Sequence, residues 1–212
     1  MMSLIIEWLF PKQCYGCGRM GKYLCDKCQG NGGGLVRKKG YEGIISVFKY
    51  DGAVRKLIES VKYEFVSEAI FEMAKLMVRE LKKDYPHILK YWQKEKYVIL
   101  PVPLFWQRER WRGFNQSQKL AEGVAKILNL EINNEILIRK TCSGVQAKIK
   151  NRQLRRENVD KVYEIKTGEK VPDKVIILDD VMTSGATLLA IQKVLKMSPD
   201  HCWGLTLARA QR

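Results

Sequence analysis

The chain has 212 residues, 46% of them hydrophobic, enough for one good core with a small appendage rather than for several domains. Lysine and arginine outnumber aspartate and glutamate by 38 to 23, a formal charge of +15 that favours polyanionic partners: nucleic acid, phosphorylated metabolites or anionic lipid. No run of about eighteen apolar residues occurs, so no membrane-spanning helix is expected. The hydrophobic opening Met1 to Phe10 contains Glu7, lacks a basic leader and runs into a cysteine cluster, unlike a secretory signal, which points to a cytoplasmic protein.

Four of the six cysteines follow at once, as Cys14-x2-Cys17-x7-Cys25-x2-Cys28. Each C-x-x-C pair places two thiolates on one knuckle, and two knuckles close a tetrahedral all-sulfur site, for which structural zinc is the expected occupant; an iron–sulfur cluster is the other metal option for four cysteines. Gly16 and Gly18 give Cys17 the permissive backbone a tight knuckle needs. Disulfides are disfavoured in a chain without an export signal. Cys142 and Cys202 stand apart as ordinary residues. A segment of about thirty residues cannot build its own core, so its folding is expected to depend on the metal. Residues 1–40 are read as an N-terminal helix and zinc module ending in the glycine-rich basic connector Gln29 to Gly40, and residues 41–212 as the main domain.

Ile44 to Tyr50 predicts a strand, Asp51-Gly52 a turn, and Ala53 to Tyr63 and Ser67 to Lys83 two helices with apolar residues at three- and four-residue spacing. Lys56, Lys62, Lys75, Lys82 and Lys83 are assigned to solvated helix faces. Tyr97 to Val102 is a second strand candidate, which the prolines of Pro101-Val102-Pro103-Leu104 end in an extended turn. In Trp106 to Gln116, WQRERWRGFNQ, the arginines Arg108, Arg110 and Arg112 alternate with Trp106, Trp111 and Phe114 around Gly113. Asn115 to Leu128 predicts a helix packed on the sheet, and Ile136 to Ile138 a short strand. Arg139 to Lys161 is strongly basic with few apolar residues and reads as a long solvated or ligand-closing loop. Tyr163 to Ile165 predicts a hairpin or edge strand.

Val175 to Leu178 is a continuous aliphatic run, the pattern of a central parallel strand covered on both faces. Asp179 and Asp180 follow at its carboxyl end, the edge of an α/β sheet where ligands bind, and adjacent carboxylates there accept hydrogen bonds from vicinal hydroxyls such as those of ribose. Thr183, Ser184, Gly185, Ala186 and Thr187 supply backbone N–H groups, hydroxyls and little bulk, a turn that fits a phosphate. Thr187 to Met197 predicts a helix and Cys202 to Ala208 a final strand. A nucleoside triphosphatase is excluded in its P-loop form, because no G-x-x-x-x-G-K-S/T loop occurs.

Val175 to Thr187, VIILDDVMTSGAT, resembles the phosphoribosyl pyrophosphate (PRPP) motif of type I phosphoribosyltransferases: a hydrophobic strand, two acids, a variable pair, then T-S/T-G-A/G-T. The resemblance implies that Asp179 and Asp180 hold the ribose hydroxyls and that Thr183 to Thr187 wrap the 5′-phosphate. Together with the four-cysteine knuckles, the order Pro101-Val102-Pro103, then Arg112-Gly113-Phe114-Asn115-Gln116, then Gln146, Arg155 and Asn158, resembles the ComF family over essentially the whole chain. That family comprises competence-associated, phosphoribosyltransferase-like proteins, with relatives in gluconate utilisation. Its loop segment maps onto Arg139, Gln146, Arg155, Asn158 and Val159, with Ser143, Ile149 and Tyr163 as departures and a gap one residue longer between Ile149 and Arg155.

The expected fold is therefore a type I phosphoribosyltransferase-like α/β parallel sheet with helices on both faces, plus the zinc module. A diphosphate needs guanidinium forks and a backbone nest, expected from Val102, Pro103 and Leu104 with Arg108 or Arg112, while the resemblance adds Arg155 on the loop that would close over it, with Mg²⁺ arriving on the ligand's own oxygens. Three functions are consistent with this pattern: a Mg²⁺-dependent phosphoribosyltransferase with no catalytic residue identified, a single-stranded DNA-binding competence protein, and a non-catalytic PRPP sensor acting on DNA or on a helicase-like competence ATPase. For DNA, the aromatic candidates are Trp106, Trp111 and Phe114, and the basic ones Arg110, Arg112, Lys148, Lys150, Arg152 and Arg156.

Overall fold

The computed structural model describes residues 12–29, 32–36, 43–63, 68–140 and 162–210, with 32–36 described as backbone. The hydrophobic opening Met1 to Phe10, Cys142 and nearly all of the basic loop lie outside them.

Among the described residues, six strands form one sheet. In chain order they are β1 (Gly32–Val36), β2 (Gly43–Lys49), β3 (Val98–Pro101), β4 (Glu131–Ile132), β7 (Val175–Met182) and β8 (Cys202–Arg209), in the spatial order β1-β2-β8-β7-β3-β4. Five run parallel and β1 adds an antiparallel edge. Two further strands, β5 (Leu137–Arg139) and β6 (Tyr163–Ile165), pair with each other as a separate antiparallel ribbon.

Val175, Ile176, Ile177 and Leu178 are all fully buried, which is why the aliphatic run shows no polar alternation. Successive residues serve opposite faces. Val175 and Ile177 pack with Leu188, Ala190, Ile191 and Leu195 of helix α6 (Ala186–Leu195) and with Leu137 and Tyr163 of the small ribbon. Ile176 and Leu178 face the larger layer, which contains helices α1 (Gly52–Tyr63), α2 (Glu68–Asp84), α3 (Pro86–Lys94) and α5 (Gln116–Leu128). Each fully buried aliphatic side chain contributes roughly 1.5–3 kcal/mol, so the two layers hold the sheet from both sides. The expected parallel α/β sheet, with helices on both faces and a small four-cysteine module, is the observed fold.

Several elements differ from expectation. The glycine-rich connector is interrupted by β1, whose Gly34, Leu35 and Val36 pair with Ser46, Ile45 and Ile44 of β2. The arginine and tryptophan segment is a short helix, α4 (Trp106–Arg112), closed by Gly113 at φ 79, a left-handed conformation that glycine adopts without a Cβ penalty. Helix α3 and the two-residue β4 have no counterpart in the sequence reading. Asp179 and Asp180 lie inside β7 rather than after it. Neighbouring β8 is long enough to keep pairing β7 as far as Met182, whereas β3 stops opposite Leu178.

The four-cysteine module docks on α1 and α2. Leu24 is buried in the main core, the Tyr23 N–H donates to Glu72 at 2.9 Å, and Arg79 pairs with Asp26 at 2.8 Å. Gly16 is needed for close approach, since a Cβ there would sit 2.7 Å from both the Cβ and the Sγ of Cys28 and 3.0 Å from the Cβ of Ala53. Among the described residues, no helix is long and apolar enough to cross a membrane.

Candidate functional site: a charged cleft at the switch point of the sheet

The chain leaves β3 through α4 and α5 towards β4, on one face of the sheet. It leaves β7 through α6 towards β8, on the other. The two connections part in opposite directions, so a crevice opens between the carboxyl ends of β3 and β7, where open α/β sheets place their ligands. Because β3 ends first, the acids of β7 stand uncovered on that side.

A cavity of about 190 Å³ occupies this crevice. Of the residues assigned from sequence, Val102, Pro103, Leu104, Arg108, Arg112, Asp179, Asp180 and Thr187 line it. Thr183, Ser184 and Gly185 form the turn between β7 and α6, and Ala186 opens the helix, none of the four lining the cavity; Gly185 is buried at φ 77, and the Ser184 hydroxyl accepts from the Ala186 N–H at 3.3 Å. Arg110 is exposed and Phe114 half-buried, both outside the lining. Gln146, Lys148, Lys150, Arg152, Arg155, Arg156, Asn158 and Val159 lie outside the described residues.

The segment Arg112 to Ser117 clamps the two strand ends together. Asn115 caps α5, its Oδ1 accepting from the Ser117 N–H at 3.0 Å, while its Nδ2 donates to the Val102 carbonyl at 3.1 Å. One side chain thus fixes both the helix start and the turn after β3. Gln116 accepts from Arg112 Nη1 at 2.8 Å, and the Ser117 hydroxyl donates to Asp179 at 2.9 Å. Arg112 is buried, its guanidinium 5.6 Å from the Tyr63 ring centre, and its Nε has no hydrogen-bond partner among the described residues. Burial draws its pKa down from the ordinary value, opposed by the Asp180 carboxylate and Tyr63. A buried guanidinium with a spare donor beside a cavity has the chemistry to take an anion.

Burial, then the Asp180 carboxylate, pushes Asp179 up to about 7, against the Ser117 hydroxyl and the Asp180 N–H, which favour its ionised form. Tyr163 is raised by burial, and Arg139 lies over both the Tyr163 and the Phe105 rings, at 5.6 and 5.9 Å.

Lys62 corrects the sequence reading. Far from a solvated face, it reaches into the cleft from the end of α1 and pairs with Asp180 Oδ2 at 2.7 Å. Lys56, Lys75, Lys82 and Lys83 are exposed as expected. Tyr63, Gln116, Ser117, Arg139 and Tyr163 also line the cavity. Gln116, Arg139 and Tyr163 belong to segments singled out by resemblance, while Lys62, Tyr63 and Ser117 sit in ordinary helical sequence without a distinguishing signal. The cleft thus sets Lys62, Arg108, Arg112 and Arg139 against two carboxylates, an arrangement for a ligand with both anionic and hydroxyl groups.

Tyr63, which lines the cleft, belongs to a group of exposed aromatic rings on α1 and α4. Tyr63 and Trp111 are 59% and 58% exposed with ring centres 6.4 Å apart, and Trp106 is 46% exposed.

At the second site the sulfurs of Cys14, Cys17, Cys25 and Cys28 all lie within 4.8 Å of one another, and those of Cys17 and Cys25 are 3.7 Å apart. Four sulfurs bound at 2.3 Å to one tetrahedral ion stand about 3.8 Å apart, so this spacing fits a metal thiolate site and not a disulfide. Cys14 is pushed down to about 6: burial raises it, but backbone N–H groups, among them those of Cys25 and Gly16, each 3.4 Å away, outweigh that.

No family model matches the chain. Among known proteins, competence protein F of Haemophilus influenzae is 27% identical over 207 residues, 94% of this chain and 86% of that protein. DNA utilization protein YhgH of Escherichia coli O157:H7 is 27% identical over 203 residues, 89% of this chain and 85% of that one. Competence protein ComFC of Streptococcus pneumoniae is 28% identical over 153 residues, 71% of this chain and 60% of that protein. A hypoxanthine phosphoribosyltransferase of Staphylococcus aureus superposes with a TM-score of 0.36 at 17% identity, over 68% of this chain and 64% of that one. The matches to competence and DNA utilization proteins run through both the cysteine module and the parallel sheet, so over most of its length the chain is similar to the proteins that its sequence motifs resemble.

Proposed function

We propose that the cleft binds PRPP together with Mg²⁺, and that the protein acts in competence-linked uptake or processing of DNA. The observation that carries the ligand is the meeting, at one switch point, of paired carboxylates on β7 with the buried, partly unpartnered guanidinium of Arg112. Asp179 and Asp180 suit ribose hydroxyls, and the arginines suit phosphate oxygens. The Mg²⁺ comes on the ligand's own oxygens, with no protein cage. The cellular role is supported by the names of the relatives, which are competence and DNA utilization proteins. Soft thiolates at tetrahedral spacing support zinc, in a structural role, at the four-cysteine site.

The test is calorimetric titration of Mg²⁺-PRPP into the wild type and into Asp179→Ala/Asp180→Ala, with zinc content checked in both. Saturable binding that the double variant loses is expected; a wild type that binds no PRPP rejects the reading. Pyrophosphate release, measured alongside, separates a transferase from a sensor.

A second reading, direct binding of single-stranded DNA, is favoured by the exposed Tyr63, Trp106 and Trp111 beside the exposed Arg108 and Arg110. Stacking of a base on such a ring is worth about 1–3 kcal/mol, so Trp111→Ala is expected to weaken oligonucleotide binding by roughly tenfold, with a steep salt dependence throughout. Unchanged affinity in Trp111→Ala rejects the exposed rings as the contact surface. A sensor function would appear as a change in that affinity on adding Mg²⁺-PRPP.

A further inference from the structure

Adjacent carboxylates at a strand end are a common way to hold a divalent cation, and here one of them is already taken by a lysine. Lys62 Nζ lies 2.7 Å from Asp180 Oδ2, and the two side chains are 17% and 8% exposed. Among the described residues this ion pair is the one polar contact of that oxygen. On the neighbouring acid, Asp179 Oδ1 is held by the Ser117 hydroxyl and the Asp180 N–H, both at 2.9 Å. Arg108, Arg112 and Arg139 line the same small cavity. A divalent ion entering would displace a buried ammonium and meet three guanidinium groups. A hydroxyl group entering would meet carboxylate oxygens held in place to accept from it.

We propose that Lys62 is a positioning residue of the cleft: a built-in cation, held against Asp180 where a divalent metal would otherwise sit, which keeps the paired carboxylates for the hydroxyl groups of a sugar phosphate. The sugar-phosphate class rests on the reading above, whereas the exclusion of metal does not. Lys62 arrives from α1 and the acids from β7, so the charge balance of the cleft exists only when the helix is docked on the sheet. The same pair ties recognition to folding, because an unpartnered Asp180 would be a buried bare charge.

Two titrations test this. In the first, Mn²⁺ is added to the zinc-loaded protein without any sugar, and free Mn²⁺ is followed by electron paramagnetic resonance. The wild type is expected to show no Mn²⁺ site that depends on Asp180. Lys62→Met is expected to gain one, which the added substitution Asp180→Asn removes, and Lys62→Arg to stay like the wild type. In the second, ribose 5-phosphate is titrated into the zinc-loaded protein in chelator-free buffer without added divalent ion and in the same buffer with Mg²⁺. The wild type is expected to bind equally in both, and Lys62→Met to bind at least about tenfold more weakly without Mg²⁺, with recovery in Mg²⁺ as the ion replaces the lost charge. A merely structural lysine would lower the melting temperature without creating either metal response. If Lys62→Met does not fold, Lys62→Gln, which still donates a hydrogen bond but carries no charge, takes its place. An Asp180-dependent Mn²⁺ site in the wild type, or none in the variant, overturns the proposal. If the wild type binds neither ribose 5-phosphate nor Mg²⁺-PRPP, the sugar-phosphate reading falls while the Mn²⁺ titration still decides the role of Lys62.

Discussion

Asp179 sits in an environment far from that of its free side chain. Its ordinary value of 3.8 is raised to about 7, so between those values the folded state holds a proton that the unfolded chain has released. The folded state then binds more protons, and its stability falls as pH rises from about 4 to 7 and levels off above. Asp179→Asn keeps an acceptor for Ser117 and deletes the charge, so it is expected to stabilise the fold above pH 7 by about 1–2 kcal/mol and hardly at all below pH 4. Denaturant melts at the two pH values check this; an equal gain at both refutes the raised proton affinity. The acid pair itself was legible in sequence because it breaks an aliphatic run. Its proton affinity was not, because that depends on burial and on Ser117, which a different helix supplies.

At the scale of elements, Asn115 does two jobs that a sequence pattern merges into one. As the N-cap of α5 it is legible, being a capping residue just before an amphipathic run. As the anchor of the Val102 carbonyl it is not, since that contact joins the helix to the end of β3. Asn115→Ala is expected to cost about 1–2 kcal/mol of stability and to loosen the turn at Val102 to Leu104. Asn115→Ser, which caps but cannot reach the carbonyl, should recover most of the stability without recovering ligand affinity. Recovery of both by serine would show that the anchor is unimportant. Helix α4 was hidden for a related reason: alternating arginine and aromatic residues carry no clean apolar stripe, and its one buried residue is the arginine that lines the cleft.

For the molecule as a whole, the four-cysteine module is stapled to the main core. Leu24 is buried there, and Glu72 and Arg79 of α2 hold the Tyr23 N–H and Asp26. Stripping the metal with a chelator, or substituting Cys17→Ser, is therefore expected to lower the melting temperature of the cooperative unfolding by several degrees, and not merely to unfold a separate segment. Thermal melts with the metal content measured in parallel check it; an unchanged melt would mean that the module is energetically independent. The cysteine spacing announced the module, but nothing local in the sequence announced where it docks.

What the sequence determined by itself is what depends on neighbours along the chain: the apolar period of each helix, the central strand Val175 to Leu178, the C-x-x-C knuckles, and the acid pair with the small turn after it. Only the tertiary structure decided which distant groups share one space. The parting of the connections after β3 and β7 created the crevice, the early end of β3 uncovered the acids, and the docking of α1 brought Lys62 to Asp180. Such pairings depend on how helices pack on a sheet, and a lysine on an amphipathic helix looks the same in sequence whether it ends in water or against a carboxylate.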